Sequence, residues 1–250
     1  MRAITLLTDF GTADYFVGAM KGAILSVNPH ATIVDITHEV PAQDVAAGAF
    51  TLLAAYDTFP PGTIHVAVVD PGVGSSRRPI VLNAGNHLFV GPDNGLFTHI
   101  YDRHPAFEAF HITATNHFRH PVSTTFHGRD IFAPIAAALS NGADPSSLGS
   151  QISDLIRLPT TPGFQVINVD RFGNLVTNIT RDVFKGGSKL SINGKLITAV
   201  RTFFGENVGA EDEPFVIWGS AGFLEIAVNG GSAAQLLDVT RGDRVIVTCN

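Results

Sequence analysis

Apolar residues along the first part of the chain alternate between short continuous runs and helical spacing. Ile4–Leu7 is a short apolar run that ends at Thr8-Asp9-Phe10-Gly11-Thr12. Tyr15–Val27 then repeats its apolar positions with helical period and stops at Asn28-Pro29. Ala31–Ile36 reads as a strand, and Asp44–Ala55 as a helix rich in Ala and Leu. Thr63–Val69 is a β-branched run closed by Asp70-Pro71-Gly72. Ile80–Asn83 and His87–Val90 predict two strands around Ala84-Gly85-Asn86, and Gly128–Ser140 predicts an Ala-rich helix. Strands that alternate with helices of this length predict a mostly parallel α/β sheet.

The rhythm changes after residue 155. Gln165–Val169, Lys189–Ile192, Lys195–Val200, Pro214–Trp218, Phe223–Val228 and Arg244–Thr248 are short strand-like runs with little helical period between them. Asn193-Gly194 marks a hairpin turn. This half predicts a smaller antiparallel β domain, as a sheet or a barrel. Ile156–Gly163 carries two prolines and reads as a linker. The expected organisation is an N-terminal α/β catalytic domain over 1–155 and a C-terminal β domain over 164–250.

Composition narrows the function. The chain has 250 residues, 45% hydrophobic and 15% charged, enough to bury a core and too apolar for global disorder. Lys and Arg number 16 against 22 Asp and Glu, a net charge of −6, with Arg77-Arg78 as the longest basic run. No basic stripe exists to neutralise phosphates, so nucleic acid is not the expected partner. The one cysteine, Cys249, cannot form an internal disulfide, and a reducing, cytoplasmic setting is expected. No apolar run reaches the roughly 18 residues of a membrane helix. All 10 histidines fall between His30 and His127, without the tight spacing of a zinc site, so no metal is expected.

The chemistry is expected where strands end. In open α/β sheets ligands bind outside the carboxyl ends of strands. Asp9 and Asp70 both follow apolar runs at such ends. Each is a turn former by type, and together they mark one end of one sheet. A carboxylate such as Asp9 offers two acceptors to a vicinal diol. Asp70-Pro71-Gly72-Val73-Gly74-Ser75-Ser76-Arg77-Arg78 is a glycine-bearing loop with an acid at its start and two cations at its end. It lacks the Gly-Lys-Ser/Thr of a phosphate loop. Its alternatives are a ligand loop or a surface loop with a solvated arginine pair. His127, before Gly128, is placed to carry protons, orient water, or cap and pack the following helix. Asp170-Arg171-Phe172-Gly173-Asn174 is either an ordinary turn or a grip, with Asp170 for an amino group and Asn174 for a base edge. Glu225, alone in an apolar strand, is read as solvent-facing on an edge.

Six stretches then occur in a telling order. They are Leu7–Thr12, Val69–Gly74, Gly91-Pro92-Asp93-Asn94-Gly95, Phe126–Asp130, Phe172–Asn178 and Gly222–Asn229. Together they resemble the S-adenosyl-L-methionine hydrolases that form adenosine, the SAM hydroxide adenosyltransferases, which are related to fluorinating and chlorinating enzymes. The resemblance implies hydrolysis of S-adenosyl-L-methionine to adenosine and L-methionine, without a cofactor. It implies a catalytic triad of Asp70, Arg77 and His127. It implies Asp9 on the ribose diol, Asp170 and Ser220 toward the methionine end, and Asn174 with the backbone of Val228–Gly230 toward adenine. Phe172 and Phe203 are implied as packing partners, and Glu225 as a further substrate contact. A homotrimer is implied, with each site shared between one subunit's N-terminal domain and its neighbour's C-terminal domain. The halogenating relatives carry a tyrosine at the Asp70 position, lack the histidine of His127, and carry an arginine where this chain has Ala221. The alternatives are a halide-using adenosyl transferase, against which a fixed Asp70 carboxylate stands, and a non-catalytic adenosine or S-adenosyl-L-methionine sensor.

Overall fold

The computed structural model describes residues 2–206 and 213–248, so Cys249 lies outside the described residues. The chain divides into two compact units, Met1–Pro159 and Thr160–Asn250.

The first unit runs β1 (Ile4–Thr8), α1 (Phe16–Val27), β2 (Ile33–Thr37), α2 (Val45–Ala55), β3 (Ile64–Val68), β4 (Pro79–Ala84), β5 (His87–Pro92), α3 (Thr98–Arg103), β6 (Glu108–His111), α4 (Ala133–Ser140) and β7 (Gln151–Ile152). The sheet order is β2-β1-β3-β5-β4-β6-β7. β2, β1, β3 and β5 are parallel, and β4, β6 and β7 complete the sheet antiparallel. β1 and β3 are buried along their whole lengths, which is why their sequences read as continuous apolar runs. Thr8 lies in register with Val68, so Asp9 and Asp70 leave the sheet at the same end. α1 and α4 pack with the central strands in one core that includes Ile4, Met20, Ile24, Val66, Phe132 and Ile135.

One predicted element is divided. Residues Gly128–Phe132 wind as a π-helical turn, and regular α-helix begins only at Ala133. Pro134 has no N–H to give the carbonyl of Asp130, and that carbonyl accepts instead from the Arg119 amide at 2.9 Å. The short α3 and β6 carried too little periodicity to be read from the chain.

The second unit runs β8 (Phe164–Val169), β9 (Leu175–Thr177), β10 (Lys189–Ile192), β11 (Lys195–Ile197), β12 (Ala199–Val200), β13 (Phe215–Trp218), β14 (Leu224–Ala227), α5 (Ala233–Leu237) and β15 (Arg244–Thr248). Its strand order is β11-β10-β15-β8-β9-β14-β13-β12, antiparallel except for β12 with β13. Asn193 and Gly194 both take positive φ, 46° and 73°, and close the two-residue β10–β11 hairpin. The predicted run Lys195–Val200 divides at Thr198, because β11 and β12 pair at opposite ends of the sheet. β14 lies between β9 and β13, which corrects the edge reading of Glu225.

The first unit also buries a histidine chain. His65 Nδ1 lies 2.8 Å from Thr5 Oγ1, and His65 Nε2 lies 3.1 Å from His87 Nδ1. Burial, and then the neighbouring His87, pull His65 from 6.5 to about 3. Between those values only the unfolded chain takes up this proton, so stability falls as pH drops below about 6.5 and keeps falling toward 3. Each unit of that depression is worth about 1.4 kcal/mol. Denaturant unfolding at a series of pH values is expected to show a shallower acid slope for His65→Gln than for the wild type; equal slopes would refute this.

Candidate active site

The first residue set is assembled by a loop that folds back on itself. After β3 the chain turns with Val73 N–H donating to the Asp70 carbonyl and Ser75 N–H to that of Gly72, both at 3.1 Å. Ser75 Oγ then accepts from the Arg77 amide at 3.2 Å. This closure brings Arg77 over Asp70. Arg77 Nε donates to Oδ1 at 2.9 Å and to Oδ2 at 3.0 Å, and Nη2 also donates to Oδ2. The pair is withdrawn from water, with side-chain exposures of 7% for Arg77 and 4% for Asp70. Arg77 Nη2 also lies 2.7 Å from His127 Nδ1, and its guanidinium stacks 5.2 Å from the Phe132 ring centroid. Asp70, Arg77 and His127, distant along the chain, are therefore brought together.

The guanidinium decides the state of the histidine. Arginine only donates, so His127 Nδ1 accepts, and the proton of the neutral ring sits on Nε2. Burial, followed by the Arg77 charge, holds His127 below the ordinary imidazole range, which keeps the ring neutral. A cavity of about 40 Å³ lies against Asp70 and His127, walled by Phe10, Thr125 and Phe126. That is room for a water beside one acceptor and one donor.

The arginine pair divides its work. Arg78 Nε and Nη2 donate to the buried Asp93, and Nη1 donates to Asp154 at 2.8 Å. Neither arginine is the solvated cation that the surface-loop alternative describes. Asn94 Nδ2 donates to the Val69 carbonyl at 2.8 Å and anchors the end of β3. This supporting role of Asp93 and Asn94 is invisible in the sequence, where the two residues are only part of a turn-like stretch. Asp9, on the β1 side, accepts from the Gln43 amide at 2.7 Å. Its loop is held by Gly11 N–H on the His38 carbonyl and by Thr8 Oγ1, 2.8 Å from His38 Nδ1.

The second set lies in the second unit, around a cavity of about 730 Å³, a size suited to one small organic molecule. Asp170, Phe172, Asn174, Ser220, Glu225, Val228 and Gly230 all line it. Phe203 does not, and the aromatic wall is supplied by Phe204 and Trp218 instead. These two carried no signal in the chain, since each belongs to an unremarkable aromatic or strand position. Asp170 Oδ1 accepts from the amides of Phe172 and Asn174 at 2.9 and 2.8 Å. Asp170 Oδ2 accepts from Asn174 Nδ2 at 2.8 Å, which leaves Asn174 Oδ1 as a free acceptor. Burial, and then the Asp170 charge, push the Glu225 carboxyl above its usual range. Among the described residues no group of three His, Cys, Asp or Glu is arranged to hold a metal ion, and no helix is long and apolar enough to cross a membrane.

An α/β unit with a buried acid–arginine–histidine cluster and a β unit with a carboxylate-lined pocket define a two-part small-molecule enzyme. Residues 4–149 match the SAM hydroxide adenosyltransferase N-terminal domain, and residues 164–246 match the C-terminal domain of the same family. The chain belongs to the SAM hydroxide adenosyltransferase family. It is 41% identical over 264 residues to the (R)-S-adenosyl-L-methionine hydrolase of Salinispora arenicola, covering 98% of this chain and 97% of that protein. It is 38% identical over 255 residues to the protein of that name from Thermus thermophilus, covering 97% and 98%. A solved structure of an uncharacterized conserved protein from Thermotoga maritima aligns with a TM-score of 0.90 at 38% identity, covering 98% of this chain and 100% of the other.

Gly74 marks the tightest point of the cluster's loop. Its φ is +78°, and a Cβ there would fall 2.2 Å from the Thr124 carbonyl oxygen. The glycine thus serves packing within the protein. Gly72 has ordinary clearance, 3.5 Å to Arg77 Cγ, and no such φ. Gly74→Ala is expected to displace the loop and lose most activity and some thermal stability, whereas Gly72→Ala keeps both. Comparable behaviour of the two variants in turnover and melting would refute this account.

Proposed function

We propose that this protein hydrolyses S-adenosyl-L-methionine to adenosine and L-methionine by attack of water on C5′. The observation that carries the reading is the Asp70–Arg77–His127 cluster beside a water-sized cavity. The names of its relatives, (R)-S-adenosyl-L-methionine hydrolases, support the substrate and the R configuration at sulfur. In the reaction an O–C5′ bond forms and the C5′–S bond breaks, its electron pair going to sulfur. A sulfonium leaves as a neutral thioether, so the chemistry asks nothing of an acid or a metal at the leaving group. What remains is to hold and polarise water. Asp70 accepts a hydrogen bond from the water and takes up its proton, which passes on to solvent. The His127 Nε2–H donates to the water oxygen and orients it, so the histidine aligns the nucleophile and does not deprotonate it. Arg77 fixes both partners. Alignment of this kind contributes roughly 7–11 kcal/mol to a barrier.

The second-unit pocket takes the rest of the substrate in this reading. Asn174 Oδ1 receives the exocyclic amine of adenine, with the Val228–Gly230 backbone beside it, and Asp170, Ser220 and Glu225 meet the methionine end. Asp9 holds the ribose diol. We assign catalysis to residues 1–155 and base recognition to 164–250, and infer a homotrimer in which neighbouring subunits share each site. Phe172 borders the pocket yet is 77% exposed in the single chain, which supports a neighbour there. The lone cysteine in 250 residues is in keeping with a reducing, cytoplasmic setting.

The direct test is adenosine release in heavy-oxygen water, with and without chloride. The label is expected in the 5′-hydroxyl of adenosine in both cases; unlabelled adenosine, or a 5′-chloro product, would sink the reading. Asp70→Asn keeps the side chain's volume and removes the acceptor charge. It is expected to cost about 10²–10⁴-fold in single-turnover rate while substrate affinity largely persists. Equal loss of rate and affinity would remove Asp70 from the water. Sharing of sites is tested by mixing Asp70→Asn protein with Asn174→Ala protein under subunit exchange. Activity is expected to reappear in the mixture, and a mixture as inactive as its components counts against shared sites.

A further inference from the structure

Gly219 stands in the turn between β13 and β14, directly beneath the Glu225 carboxylate. A Cβ at this position would fall 1.8 Å from Glu225 Oε1, 2.4 Å from Cδ and 2.9 Å from Cγ. The φ of Gly219 is not in the left-handed region, so its backbone does not require glycine. Space for the carboxylate does. Glu225 is half-buried, its carboxylate receives no hydrogen bond from the described residues, and the residue lines the cavity. Its charged neighbour there is Asp170, another acid. Among the described residues lining the cavity there is no Lys or Arg, and Arg181, stacked 4.5 Å over the Trp218 ring, is not one of them.

We infer that Gly219 is a specificity-determining residue: by leaving room for the Glu225 carboxylate against the pocket wall, it sets the pocket's preference for a cationic over a neutral ligand. The inference rests on the S-adenosyl-L-methionine reading and deepens it. A half-buried carboxylate with no protein donor calls for a donor or cation from the ligand, because an unpaired charge out of water is costly. Burial that pushes Glu225 above its usual range is relieved when such a cation arrives. S-adenosyl-L-methionine brings two, a sulfonium and an ammonium, whereas adenosine brings none. A side chain at 219 would displace the carboxylate without changing any charge in the protein.

The experiment compares equilibrium binding of S-adenosyl-L-methionine and of adenosine in an Asp70→Asn background, which slows turnover, with and without Gly219→Ala. The unsubstituted pocket is expected to prefer the cation. Gly219→Ala is expected to weaken S-adenosyl-L-methionine roughly 10- to 100-fold, the worth of a charge-assisted contact, and to leave adenosine little changed. Parallel loss of both ligands, or no loss of the cation, would overturn the inference. Glu225→Gln is expected to reproduce the same selective loss and carries the comparison if thermal unfolding shows that Gly219→Ala does not fold. Adenosine release by the wild type is measured separately. A wild type that releases no adenosine, in a pocket whose cation preference Gly219→Ala removes, contradicts hydrolysis and upholds the role of Gly219, whereas a wild type without cation preference overturns that role.

Discussion

A carboxylate and a guanidinium leave water together at the end of β3, and the first unit is organised around keeping them paired. Withdrawing either charge alone would cost several kcal/mol, and a buried pair is tolerable only with close, well-aligned contacts. The Asp70–Arg77 fork meets that condition, with both carboxylate oxygens engaged. Its geometry needs the loop to turn back within seven residues, and the Gly74 conformation and the Ser75 hydroxyl permit that turn. It also needs β3 to end at a fixed point, which the Asn94 amide secures from the next strand's loop. The second arginine, Arg78, is held away from the cluster by Asp93 and Asp154, so it is Arg77 that faces Asp70 and His127.

From that pair follows the chemical character of the histidine. A lone histidine at a loop-to-helix junction is open to either protonation state. Set against a donor that never accepts, its Nδ1 is committed, and burial, with the adjacent positive charge, disfavours a second proton. In the hydrolysis proposed above, the cluster offers the attacking water one acceptor and one donor with net charge close to zero. Such an arrangement suits a substrate whose electrophilic carbon already bears a cationic leaving group. On that proposal the barrier is lowered by alignment and exclusion of bulk water and not by strong base.

The β unit uses charge in the opposite way. Its pocket holds two acids without a cation among the described lining residues, and one of them, Asp170, is spent largely on its own turn. That internal use has a function of its own. By accepting from the Asn174 backbone and side-chain N–H groups, Asp170 leaves the Asn174 side-chain oxygen as an acceptor, so a residue that contributes to folding the turn also sets which polar atom the pocket presents. Glu225 remains the unspent charge, and its freedom depends on the absence of a side chain at Gly219.

The pattern of apolar residues by itself determined most strands, the three longer helices and the change from α/β to β near residue 160. These depend on local periodicity and on turn residues such as Asn193-Gly194, whose conformational preferences act within a few residues. The ordered motifs likewise identified the family and pointed to Asp70, Arg77, His127 and most of the pocket. Only the tertiary structure decided what those residues do to one another. The π-helical start at Gly128 follows from a carbonyl freed by Pro134 and claimed by Arg119, a contact across the fold. The central place of Glu225, the wall made by Phe204 instead of Phe203, and the structural use of Asp93 and Asn94 all depend on which strands become neighbours. Sequence spacing carries no record of such neighbours, because hydrogen bonding, burial and charge pairing are settled by distance in space between residues that the chain itself keeps far apart.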